Sequence, residues 1–133
     1  MRQKWTSENA VAAFGELLKA SRKKAGKTAR VTAIEAGMQP SNYCRLEYGT
    51  LRPPQAKPKL DRLADAVGIL PNTPERTSFY DLAATANHSI PMDLAEIIST
   101  DDAIPLMLRT LGKKKLTKRQ IDEIVKLVRG KSD

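Results

Sequence analysis

Apolar residues recur three and four positions apart along most of this chain, and strand-type alternation is nearly absent. Phe14, Leu17, Leu18, Ser21 and Ala25 fall on one face of a first helix. Thr6 or Ser7 can cap it, Glu8 suits its positive first turn, and Gly26 ends it. Thr28 can cap a second helix that runs to Gly37. A third starts at Pro40, whose missing N–H is not needed in a first turn, and stops at Gly49. The run "TLRPPQAKP" reads as an extended loop, because residues before proline avoid the α region. A fourth helix is expected from Pro58 to Val67, burying Leu60, Leu63, Ala64 and Val67. A fifth follows Pro74 and buries Phe79, Leu82 and Ala83.

"NHSIP" at 87–91 interrupts the pattern. Beyond it, Met92 to Ser99 is apolar on a wide face, and Ile104, Met107, Leu108 and Leu111 form a helical stripe. Thr117 and Gln120 have capping-box spacing, followed by Ile121, Ile124, Val125 and Val128 on one face. The expected class is all-α: a five-helix domain over residues 8–86 and a C-terminal helical segment over residues 87–133, with no internal repeat.

The 133 residues suffice for a real core. No run of 18 apolar residues exists, so no membrane span is expected, and "MRQKWTSENA" lacks the apolar stretch of a secretory signal. A single cysteine, Cys44, excludes an internal disulfide and fits a reducing cytoplasm. With His88 the one histidine, no zinc site is expected. The net charge of +8 is unevenly distributed. Residues 1–60 carry 12 Lys/Arg against 4 Asp/Glu, residues 61–112 carry 3 against 8, and residues 113–133 carry 8 against 3. A basic N-terminal half points to a polyanion, most simply nucleic acid.

The third helix sharpens that reading. At about 100° per residue, Ser41, Asn42, Arg45 and Tyr48 share one side, while Tyr43, Leu46 and Glu47 share the other. Tyr43 and Leu46 reach the core, so serine, asparagine and arginine face outward. Arginine can contact guanine in bidentate fashion, asparagine adenine, and serine either. Cys44 is read as a small, half-buried side chain, and His88 as a polar loop residue.

The stretch "FGELLKASRKKAGKT…AIEAGMQPSNYCRLEYGTLRPP" resembles the helix-turn-helix domains of Cro/C1-type phage repressors, the Xre family. The resemblance spans roughly residues 11–70 and rests on spacing: Phe14-Gly15, Arg22 before Gly26, Ala33 four residues before Gly37, and Glu47 ten residues after it, leading into Arg52-Pro53. It implies a lambda-repressor-like five-helix fold and an internal ion pair between Arg22 and Glu47. It implies base contacts from Ser41, Asn42 and Arg45, joined by Gln39. Phosphate contacts are implied for Thr28 and Arg30 at the second helix N-terminus, and for Thr50, Arg52 and Lys57 after the third helix. Lys23, Lys24 and Lys27 add charge nearby. Two positions depart from the family pattern: Ala29 stands where glutamine is common, and Thr32 where leucine is usual. Val31 and Ile34 then point to the ordinarily exposed side, and the N-terminal arm with Trp5, or a partner, is expected to cover them.

The resemblance implies a double-stranded DNA-binding repressor, autoregulatory and acting as a homodimer on an inverted repeat, with its C-terminal segment as the dimerisation element. The alternatives are an antitoxin whose C-terminal helices bind a toxin, and a phage or mobile-element regulator such as an anti-CRISPR-associated repressor. No carboxylate pair, Ser/His or Cys/His set or phosphate-cradling glycine loop points to an enzyme, and no cofactor is expected. Six aromatic residues, none interleaved with basic ones, argue against single-stranded RNA.

Overall fold

The computed structural model describes residues 6–91, 94, 103–113 and 116–130. The expected apolar helix at 92–99, the arm with Trp5, and Lys114 and Lys115 lie outside the described residues, except Leu94. Among the described residues there are seven helices and no strand: α1 (Ser7–Lys24), α2 (Ala29–Ala36), α3 (Pro40–Tyr48), α4 (Lys57–Ala66), α5 (Pro74–Ala86), α6 (Ala103–Gly112) and α7 (Lys118–Arg129). The chain divides into two units, Met1–Ala95 and Glu96–Asp133.

In the first unit α1 packs against α3 and α5, and α2 packs against α3 and α4. The ends of these helices follow from their capping chemistry. The Thr6 hydroxyl accepts from Asn9 N–H, Thr28 from Val31 N–H and Thr73 from Arg76 N–H, each satisfying a donor that a helix leaves open in its first turn. Phe14, Leu18, Tyr43, Leu46, Leu63 and Phe79 meet in the centre, all essentially without exposure, with the rings of Phe14 and Phe79 4.9 Å apart. Completely burying one such side chain contributes about 1.5–3 kcal/mol.

The structure amends the periodic reading in three places. α4 begins at Lys57, one residue early, because Pro58 fits the second helical position as well as the first; neither needs its N–H. Ala25 is exposed as the cap of α1 rather than part of its buried face. Leu82 is only half-buried, since Ala10 and Val11 at the start of α1 close against Ala86 and leave it at their edge.

A polar knot ties α4 to α5. Arg76 is 6% exposed. Its guanidinium donates to Asp65 Oδ1 (2.9 Å), the Ile69 carbonyl (2.7 Å), Asp61 Oδ1 (3.3 Å) and Tyr80 Oη (3.2 Å). Tyr80 in turn donates a short hydrogen bond to Asp61. Arg76→Ala should therefore cost about 2–3 kcal/mol, as expected when a buried, charged hydrogen-bonding centre is removed, and urea denaturation would measure it.

In the second unit α7 carries both halves of a capping box. Gln120 N–H donates to Thr117 Oγ1 at 3.1 Å, and Thr117 N–H donates to Gln120 Oε1 at 2.9 Å. Neither α6 nor α7 has a buried residue.

Candidate nucleic-acid interface

α3 is held from behind and open in front. Behind it, Arg22 Nε donates to Glu47 Oε2 at 2.7 Å and Arg22 Nη2 donates to Glu47 Oε1 at 3.0 Å, a bidentate pair with both side chains nearly buried. The remaining arm, Nη1, donates to the Lys27 carbonyl at 2.9 Å, so one arginine joins α1, the α1–α2 turn and α3. Burial is the largest influence on Glu47 and pushes its carboxyl up. The hydrogen bond and charge of Arg22 outweigh it, and the pKa lies below the ordinary value. The Tyr43 hydroxyl is buried beside this pair without a hydrogen-bond partner among the described residues. Its pKa is pushed well up, first by burial and then by the Glu47 carboxylate.

The approach of α1 to α3 is closer still at Gly15. A Cβ built there would stand 2.3 Å from the Leu46 carbonyl oxygen and 2.6 Å from that of Glu47. The turn that launches α3 depends on Gly37, with φ of 72°, a left-handed conformation costly for any residue with a side chain. Gly37 N–H donates to Ile34 O and Met38 N–H to Ala33 O, satisfying the end of α2. Arg62 of α4 lies over this turn. Its Nε donates to the Glu35 carbonyl at 3.0 Å, and its guanidinium would sit 2.6 Å from a Cβ at Gly37.

In front, Ser41, Asn42, Arg45 and Tyr48 are all exposed on one side of α3. Gln39 precedes the helix as its cap residue but makes no side-chain capping bond, so its amide is not consumed there. Arg45 Nη2 makes one long bond of 3.4 Å to the Thr50 carbonyl, and the Thr50 hydroxyl donates to the Arg45 carbonyl at 3.3 Å. These two residues therefore stand together at the end of α3. Thr28 and Arg30 sit at the N-terminus of α2. The Thr28 hydroxyl is engaged as the cap, while the first backbone N–H groups of that helix provide the partial positive charge that attracts anions.

The other basic candidates are placed differently from one another. A groove of about 780 Å³ runs beside α3 and is bordered by Gln39, Asn42, Arg52, Lys59 and Arg62 over a floor that includes Met38 and Leu51. Lys59 and Arg62 were not singled out by sequence spacing. Helical periodicity from Leu60 and Leu63 leaves both on the outer side of α4, which is the available signal. Arg52 also donates to the Ala86 carbonyl at 3.3 Å. Lys57 lies in a separate depression with Asp61, Thr73 and Tyr80, and its Nζ pairs with Asp61 at 2.8 Å. Lys27 is tied to Glu35 at 2.7 Å and to the Ala66 carbonyl at 2.9 Å, so much of its charge is used internally.

At the departures from the family pattern, Thr32 is completely buried and its hydroxyl donates to the Thr28 carbonyl at 2.9 Å, which satisfies the polar group that leucine would not have. Val31 and Ile34 are 46% and 62% exposed. Cys44 is half-buried and free. Among the described residues no cluster of His, Cys, Asp and Glu could hold a metal ion, and no helix is long and apolar enough to cross a membrane.

A short helix set behind a glycine turn is thus buttressed on one side and polar on the other, a helix-turn-helix arrangement. Residues 13–76 match the family model described as a helix-turn-helix domain, just under half of the chain. No curated protein and no solved structure matches the chain.

Proposed function

We propose that this protein is a sequence-specific transcription regulator that binds double-stranded DNA through α3, represses its own promoter by occlusion, and belongs to the Xre type of helix-turn-helix regulators. The observation that carries the reading is the outward face of α3: Ser41, Asn42 and Arg45 are exposed together while Tyr43, Leu46 and the Arg22–Glu47 pair fix the helix from behind. A rigid helix with that face suits the major groove, where each base pair shows a distinct pattern of donors and acceptors. Gln39 reaches the first base edge or a phosphate. Thr28 and Arg30 at the α2 N-terminus, Thr50 and Arg52 after α3, and Lys59 and Arg62 along the groove contact the backbone; Lys57 acts in this way once it exchanges Asp61 for a phosphate.

One such module buries only about 600–1,000 Å² on DNA, too little for selective tight binding. The working unit is therefore a cytoplasmic homodimer on an inverted repeat, with half-sites about one helical turn apart and the C-terminal unit joining the copies. Footprinting on the DNA upstream of the protein's own coding sequence tests this, and the absence of a protected inverted repeat would count against it. Co-purification with a second small protein would favour the antitoxin reading instead.

Arg45→Ala separates base reading from backbone contact. The expected result is a loss of about 1–3 kcal/mol confined to one base pair of each half-site, measured by titrating operator variants. A uniform loss across all sequences, with a shallower salt dependence, would reassign Arg45 to phosphate.

A further inference from the structure

Among the described residues, the second unit carries a helix with exposed apolar side chains. Ile124, Val125 and Val128 of α7 are 37%, 41% and 79% exposed. With Ile121 they recur at the spacing of one helical stripe. α7 is closed by a capping box at one end and Gly130 at the other, so it is a defined helix of 12 residues rather than a frayed tail.

The charges around that stripe are not symmetric. At about 100° per residue, Lys118, Asp122 and Arg129 line one edge of it, and Gln120 and Leu127 line the other. Arg119 and Glu123 lie on the opposite side of the helix and pair with each other at 3.4 Å. In a parallel helix pair, one edge of the stripe faces the opposite edge of the second helix, which would set Asp122 and Arg129 against glutamine and leucine. In an antiparallel pair, each edge faces its own counterpart in reverse order. An axis near Val125 and Lys126 then lays Asp122 beside Arg129 of the second copy, and Arg129 beside Asp122 of the second copy.

We propose that α7 is a self-recognition helix that pairs antiparallel with α7 of a second copy, its orientation set by two symmetry-related Asp122–Arg129 ion pairs flanking Ile121, Ile124, Val125 and Val128. This rests on the homodimer reading and adds the segment, direction and register. A pair of 12-residue helices buries less than the roughly 1,200 Å² of a stable interface. The same unit also exposes apolar residues on α6, where Met107 is 52% and Leu108 39% exposed, as further surface for a contact between copies. A two-fold axis of this kind makes the contact isologous and closed, so assembly stops at two.

Charge reversal in the full chain tests the proposal. Asp122→Arg places arginine against arginine in both pairs, and Arg129→Asp places aspartate against aspartate. Each variant alone should self-associate about tenfold more weakly than the unmodified chain in sedimentation equilibrium at low salt. Mixing the two variants should restore association as heterodimers, seen by giving one variant a larger tag. The chain carrying both substitutions should dimerise like the original. Any bond that either residue makes within its own chain stays broken in the mixture, so rescue reports the contact between copies. A dimer whose strength neither reversal changes, or reversed variants that fail to rescue one another, would overturn the antiparallel seam while leaving the homodimer standing. A monomeric unmodified chain would overturn the homodimer reading itself.

Discussion

Gly15→Val is expected to unfold the first unit, and Gly15→Ala to lower its stability by about 3 kcal/mol or more. Overpacking a well-filled core costs typically about 1–3 kcal/mol when side chains can shift. At Gly15 they are not what stands in the way. The atoms nearest a new Cβ are the carbonyl oxygens of Leu46 and Glu47, at 2.3 and 2.6 Å, both part of the α3 backbone. Accommodating a methyl group would move α3 away from α1, which draws Leu46 out of the core and lengthens the Arg22–Glu47 bonds. Urea denaturation of Gly15→Ala by circular dichroism measures the loss. A loss below about 1 kcal/mol would show that α1 and α3 can separate without disturbing what surrounds them.

Glu47→Ala is the second large effect, expected at about 3–5 kcal/mol, because it leaves the Arg22 guanidinium nearly buried without its carboxylate. Arg22→Met combined with Glu47→Leu should recover most of that loss, since two apolar groups of similar size avoid the stranded charge. The pair also sets an acid limit. Glu47 and Asp61 both have pKa values below their ordinary 4.5 and 3.8; for each, burial opposes the shift and is outweighed by hydrogen-bond donors and neighbouring cations, chiefly Arg22 for Glu47 and Lys57 with Tyr80 for Asp61. A carboxyl lowered in the folded state contributes stability that is complete above its unfolded pKa and disappears as pH falls through the folded value. Stability should thus be flat above about pH 5 with respect to these two groups and fall steeply below about pH 4. Glu47→Gln should flatten part of that fall, measurable as urea midpoints against pH.

The helices of the first unit are legible because their boundaries depend on local chemistry. Threonine at 6, 28 and 73, proline at 40 and 74, and glycine at 37 and 49 act within one turn of where they stand. The two faces of α3 are legible for the same reason, since nine residues suffice to show which side is apolar. What the sequence conceals depends on partners distant along the chain. Gly15 looks like an ordinary glycine in a helix until α3 is brought against it. Arg76 looks like a surface charge, yet it is buried among Asp61, Asp65, Ile69 and Tyr80. The positions of Lys57 and Arg62 on opposite sides of α4 depend on where that helix lies relative to the glycine turn. The resemblance only implies residue roles, while the groove that gathers Gln39, Asn42, Arg52, Lys59 and Arg62 becomes visible only in three dimensions.

The two-sided construction of α3 has a consequence for how such a protein can change. The residues that hold the helix, Tyr43, Leu46 and Glu47, share no side chain with those that face outward, Ser41, Asn42 and Arg45. Substitutions on the outer face leave the interior intact, and exposed positions away from caps and cores usually tolerate change within about 0.5 kcal/mol. Folding and the chemistry of the outward face can therefore drift separately. A lineage of such proteins could exchange all three outward side chains on a single scaffold, with no intermediate that fails to fold.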